Sequence, residues 1–115
     1  MRQKIVMIIT SWVICLCIIN CGSHRHKEAL LAREIYSTGT ALVPLPSNDT
    51  ERQRNKENAP KAIPYFKDVI KRFPHTDYAD LSYVQLGLCH EYLEHWDEAE
   101  KAYEALIRKY TDGGR

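Results

Sequence analysis

Ala62-Ile63-Pro64-Tyr65-Phe66-Lys67-Asp68-Val69-Ile70-Lys71-Arg72-Phe73-Pro74 returns 37 residues later as Ala99-Glu100-Lys101-Ala102-Tyr103-Glu104-Ala105-Leu106-Ile107-Arg108-Lys109-Tyr110-Thr111. A self-match at a period of about 20–50 residues marks stacked helical units, none of which can bury its apolar face alone. The fold class it predicts is all-α, a solenoid fragment of about two helix-turn-helix hairpins. Arrays of this kind present an extended surface to a partner.

Outward from the repeat, four helices are predicted. In Glu28–Leu42, Leu31, Ile35, Thr38 and Leu42 share one helical face. Gly39 lies inside that helix, where a glycine is tolerated if another helix approaches closely. Residues 43–59 read as an inserted loop: Pro44 and Pro46 break the periodicity, and 51–58 are charged or amide residues with no apolar face. Pro60–Phe73 is the second helix, capped by Asn58, with Phe66, Val69, Ile70 and Phe73 as its stripe. Pro64 fits there only near the helix start or at a kink, and Pro74 ends the element. Thr76 or Asp77 caps a third helix running to about Glu94. Its apolar positions spread widely around the axis, as on an inner helix packed on two sides. The fourth helix, Asp97–Tyr110, is amphipathic, with Asp97–Lys101 and Glu104–Arg108 at ion-pair spacing.

The segment from Met1 to Cys21 is of a different material. Arg2 and Lys4 precede a nearly unbroken apolar run from Ile5 to Ile19. That length suits a signal peptide better than a spanning helix. The organisation expected is a signal peptide over 1–20, a polar tether over 21–27 and a helical domain over 28–112. Ile18-Ile19-Asn20-Cys21 resembles a bacterial lipobox, although Asn20 stands where a smaller residue is usual. The resemblance implies lipidation of Cys21, and two or three acyl chains make a lasting anchor. An uncleaved anchor and plain secretion are the other readings. With Cys15 and Cys17 removed and Cys21 capped, Cys89 has no disulfide partner and reads as a small buried hydrophobe.

Charge and motif exclude several classes. The net charge is only +1, so the composition favours neither nucleic acid nor an acidic membrane surface. The seven tyrosines fall at helical spacing among apolar neighbours, as core residues do. His24 and His26 supply too few ligands for a structural metal. His90 and His95 are five apart, about 140° around a helix, rather than the four that a zinc-protease motif needs. Nucleophile elbows, phosphate loops and paired cysteines are absent from the sequence. No catalytic residue, metal or cofactor is expected.

Tyr83-x₂-Leu86-Gly87-x₂-His90, then Ala99-x₃-Tyr103 and Thr111, resembles the tetratricopeptide signature, W-x₂-L-G-x₂-Y…A-x₃-F…P. His90 and Thr111 depart from it. The earlier unit keeps Ala62-x₃-Phe66 and Pro74 but has no Leu-Gly at the matching offset, so an insertion must displace its first helix. The resemblance makes Ala62, Phe66, Pro74, Leu86, Gly87, Ala99 and Tyr103 repeat-packing residues. The linker Phe73-Pro74-His75-Thr76-Asp77-Tyr78-Ala79 is similar to those of bacterial envelope tetratricopeptide lipoproteins, of the outer-membrane-assembly and Tol-Pal coordinator types. With the lipobox it implies an adaptor anchored by lipid in the cell envelope, facing the periplasm from the outer membrane. Its partner would be a protein or peptide, with no role for nucleic acid. Tyr83, Gln85, His90 and Tyr92 on the inner helix are the partner-binding candidates. Ala102, Leu106, Ile107 and Tyr110 have no following helix to cover them. This suggests self-association through the last helix, or a longer array of which these are two repeats.

Overall fold

The computed structural model describes residues 2–113, and the backbone only of residues 17–21. Four helices follow one another: α1 Arg2–Leu42, α2 Asp49–Arg72, α3 Asp77–Tyr92 and α4 Trp96–Thr111. Among the described residues there is no strand. α1 packs on α2 and α3 on α4, giving two hairpins, and α3 also packs on α1 and α2. The inner position expected of the third helix is the one it occupies.

The core follows from the stripes. One cluster joins Val43, Ala59, Ala62, Phe66, Leu86, Cys89 and Ala102, with Tyr36 of α1 packed against it. A second joins Ala32, Val69, Phe73 and Ala79 at the other end, flanked by Ile35, Tyr36 and Tyr78. The ring of Tyr36 lies 5.9 Å from that of Phe66 and 5.6 Å from that of Tyr78, so one aromatic of α1 touches both α2 and α3.

Two expectations are corrected. The loop expected over 43–59 is confined to 43–48, and residues 49–59 belong to α2. Asn48, not Asn58, caps the helix: its side chain accepts from the Glu51 N–H, while Glu51 accepts from the Ser47 N–H at 2.7 Å. The buried positions Asn55, Ala59, Ala62, Phe66 and Val69 recur every three or four residues without a break. The charged segment therefore has a buried face, one that begins with an amide instead of an alkyl group. Asn55 is fully buried, and its Nδ2 donates to the Pro44 carbonyl at 2.6 Å. Asn58 Nδ2 donates to the Leu42 carbonyl at 3.2 Å. These two amides tie the short loop to the helix beneath it. Pro60 and Pro64 consequently sit inside the helix, not at its start. Each lacks an N–H, which leaves the carbonyls four residues earlier without their usual helical partners.

The second correction concerns residues 21–27, expected as a tether. α1 runs through them as helix, with His24 Nδ1 3.3 Å from Glu28 one turn on. From Ile5 to Leu16 the apolar side chains are exposed all round this helix. Among the described residues, no helix is long and apolar enough to cross a membrane.

Small residues set how closely the hairpins close. A Cβ on Gly39 would stand 2.8 Å from Phe66 Cε1 and 3.2 Å from Tyr65 Cβ. A Cβ on Gly87 would run into the ring of Tyr103. Each hairpin thus places a glycine of its first helix under an aromatic ring of its second. Tyr103 also donates through its hydroxyl to Glu91 at 2.8 Å.

Polar contacts fasten the ends. Thr76 caps α3 by accepting from the Ala79 N–H. The chain then turns after Tyr92 through Glu94, whose φ of 59° lies in the left-handed region. Lys56 of α2 pairs with Glu94 at 3.1 Å. At the far end of α4, Lys109 and Tyr110 both donate to Asp80 of α3. Burial alone would raise the Asp80 carboxyl; these two donors outweigh it and hold the group below its ordinary range. Asp68–Arg72 forms at 3.0 Å and Glu104–Arg108 at 3.6 Å. Lys101 pairs with Glu98 instead of Asp97, three residues away instead of four.

Gly87→Ala should therefore destabilise the fold, because the methyl group must displace a ring held between helices. The gain of about 1 kcal/mol in helix propensity offsets part of an overpacking cost of about 1–3 kcal/mol. Thermal unfolding should show a lower midpoint for Gly87→Ala and an unchanged or higher one for the exposed control Gly22→Ala.

Candidate functional site

α3 is the helix with neighbours on most sides, so its free side defines the surface a partner can reach. Ser82, Leu86 and Cys89 point into the core. Gly87 faces α4. Tyr78 faces α1. The side left over carries Leu81, Val84 and Leu88, spaced three and four apart and so aligned along one face. Leu81 is 46% exposed and Val84 37%, and Leu88 is half-buried. Beyond the helix end, Trp96 extends the stripe with its side chain 63% exposed.

Leu88, Tyr92 and Trp96 line one wall of a hollow of about 600 Å³. The rest of the wall is Pro46 of the loop with Arg52 and Lys56 of α2. Glu91 and Glu94 complete the rim. A hollow that sets Leu88, Tyr92 and Trp96 against acidic and basic side chains suits a peptide segment.

The four residues expected to form the binding face lie on two sides of α3. At about 100° per residue, Tyr83 and His90 share the side of α3 towards α4, while Gln85 and Tyr92 lie roughly opposite. Of the four, Tyr83, His90 and Tyr92 are half-buried, as Gln85 is. Tyr92 packs against the core cluster and also lines the hollow. His90 Nδ1 is buried with no hydrogen-bond partner. Burial is the main cause that holds this imidazole below its ordinary pKa; Glu98 opposes the shift, and Lys67 and His95 add to it. Leu81 and Val84, on the open side of α3, are not among those four. The signal for the exposed stripe was present as three aliphatic residues at i, i+3 and i+7. On a helix apolar on most sides it could not be told from core.

The repeat-packing residues are placed as follows. Ala62 and Phe66 are fully buried, and Leu86, Gly87 and Ala99 are buried. Tyr103 is half-buried over Gly87. Pro74 is exposed in the α2–α3 turn, where its carbonyl accepts from Lys109 at 2.8 Å. Cys21 lies outside the residues whose side chains are described. Cys89 is fully buried, and burial pushes its thiol up to about 12, away from nucleophilic use.

The two histidines judged too far apart around a helix are in fact neighbours. α3 ends at Tyr92, so helical spacing does not apply to His95, and the chain folds back until the rings are 6.0 Å apart. His95 donates its backbone N–H to the His90 carbonyl at 2.9 Å. Among the described residues, no group of three or more His, Cys, Asp or Glu could hold a metal ion.

Two antiparallel helical hairpins, stacked through an inner helix with a small residue at each crossing, define a helical-repeat protein. The family model for the tetratricopeptide repeat matches residues 81–113, which is the α3–α4 hairpin except for its first turn. The chain therefore carries a tetratricopeptide repeat there. Comparison with curated proteins and with solved structures returned no match.

Proposed function

We propose that the protein is a lipid-anchored tetratricopeptide-repeat adaptor that docks a protein or peptide in the bacterial cell envelope. The observation that carries the docking is the unpaired aliphatic stripe Leu81, Val84, Leu88 with Trp96 beside it, on the hairpin matched by the repeat family. Such a stripe costs free energy while it faces water, and burying it supplies about 25 cal/mol per Å². Repeats of this family are interaction modules, which also supports a non-catalytic role. The anchor and the periplasmic face of the outer membrane rest on the lipobox resemblance at Cys21 and the apolar run before it.

A second reading has its own observation. On α4, Ile107 is 59% and Tyr110 65% exposed, so the outermost helix keeps an apolar face open. That face would serve pairing of the chain with itself or with further repeats.

Each element has a separate test. A photo-crosslinking residue at Val84 or Leu88 should capture an envelope protein in living cells, and one at Glu100 on the outer face should not. Capture should fall about tenfold or more with Leu81→Asn and Leu88→Asn together, since losing two buried aliphatic contacts removes at least ~1.4 kcal/mol. Equal capture from both faces would sink the docking surface. Cys21→Ser should leave the precursor uncleaved and shift metabolic acyl labelling from present to absent; unchanged processing rejects lipidation. Sedimentation of the purified protein should show a dimer that Ile107→Asp dissociates if the second reading holds, and a monomer at all concentrations if it does not.

A further inference from the structure

Where the tetratricopeptide signature carries its second aromatic, this chain carries His90. We propose that His90 makes the α3–α4 turn an acid-sensitive latch. At neutral pH the turn is closed and Trp96 stands against the hollow; a proton on the imidazole releases the turn and that part of the wall with it. The latch stands on the fold alone. Its use, the release of a docked partner on acidification, rests on the docking proposed above.

The ring sits where a charge is hard to carry. Its Nδ1 is buried with no hydrogen-bond partner. The neutral ring can keep its single N–H on Nε2, but the imidazolium must also carry one on Nδ1, buried and without an acceptor. The surrounding charges do not compensate. From α2 Lys67 faces the ring, from the turn His95, whose ring lies 6.0 Å away, and from α4 Glu98. Glu98 favours the charged ring, but it shares its own charge with Lys101 at 3.1 Å. Nearer in the chain, Glu91 accepts from Tyr103 and Glu94 pairs with Lys56. Burial first, then Lys67 and His95, outweigh Glu98 and hold the imidazole below its ordinary range.

The turn itself is lightly held. His95 stands at the N-cap of α4 with no side-chain cap bond. Glu94 has a φ of 59°, a costly backbone for a residue with a side chain. What closes the turn is backbone: Glu94 donates its N–H to the Glu91 carbonyl at 3.0 Å, and His95 donates to the His90 carbonyl at 2.9 Å. The residue that takes the proton therefore also supplies a carbonyl on which the turn closes. Trp96 follows at once and lines the hollow together with Glu94.

Opening frees the ring to water, where an imidazole takes its proton near pH ~6.5. The closed state binds that proton less readily than the open one. Closure is therefore strongest above about pH 6.5, weakens as the pH falls past it, and is weakest once the folded ring too is charged.

The test uses the full chain in a non-ionic detergent. Amide exchange, corrected for intrinsic rates, is compared at about pH 7.5 and about pH 5, on either side of the imidazole range. Exchange over residues 93–98 should speed in acid by about tenfold for each pH unit between the folded and open titrations, with residues 62–73 unchanged. His90→Tyr, which restores the aromatic of the signature, and His90→Gln should each remove the acid response, and His95→Gln should reduce it only in part. In the native chain an NMR titration should place His90 below the ordinary imidazole range, with the Trp96 indole N–H shifting at the same midpoint. A His90 that titrates at or above that range overturns the proposal without any variant. So does an acid response that survives both His90 variants, or an equal speeding over 62–73, which marks unfolding of the whole domain. If the turn responds while no crosslink forms from Val84 at either pH, the latch stands and the docking falls.

Discussion

The fold depends on two places where a helix backbone meets an aromatic ring. Gly39 lies under Phe66 in the first hairpin, and Gly87 lies under Tyr103 in the second. Neither ring could lie there if the glycine carried a side chain. Once these contacts fix the distance between paired helices, Ala62, Ala99 and Ala102 are the residues small enough to fill the rest. Tyr36, Leu86 and Cys89 then find neighbours from the other hairpin. The core holds few large aliphatic groups. Close approach of backbones does here what bulk does in larger domains.

Much of this was legible because the aromatic of each pair falls in the duplicated stretch. Phe66 and Tyr103 are 37 apart, the period of the repeat. The glycines are 48 apart, so the same contact was readable once and hidden once. What separates them is the extension at the start of α2. Its residues 51–58 carry no apolar side chain that a hydrophobic period could register. Its burial runs through Asn55, and its start is marked by Asn48 and Glu51, which resemble loop residues until their hydrogen bonds are seen. Burial of an amide is specified by where its partner carbonyl lies, and Pro44 and Leu42 come close only in the folded chain.

The open side of α3 was legible in part, for a related reason. An inner helix is apolar on nearly every side, so periodicity cannot say which side is left open. Leu81 and Val84 look like core until α1, α2 and α4 are in place around them. The same holds for His90 and His95, whose separation depends on where the helix stops and not on how it turns. A helix periodicity describes one element, whereas a surface is what several elements leave uncovered.

The extension of α2 has a further meaning for how such a chain can change. α2 starts at Asp49, far ahead of Ala62, whereas α4 starts at Trp96, just ahead of Ala99. The surplus comes to ten residues, about 2.8 turns of helix, and its buried residues Asn55 and Ala59 continue the stripe of Ala62 and Phe66. It works like a shim cut to the thread of a screw. Further shims of whole turns would lengthen the arm and leave its core stripe in register, whereas an odd half-turn would swing the stripe to solvent. The reach of this arm, and with it the depth of the hollow beside Trp96, is adjustable in discrete steps while the crossing beneath stays the same.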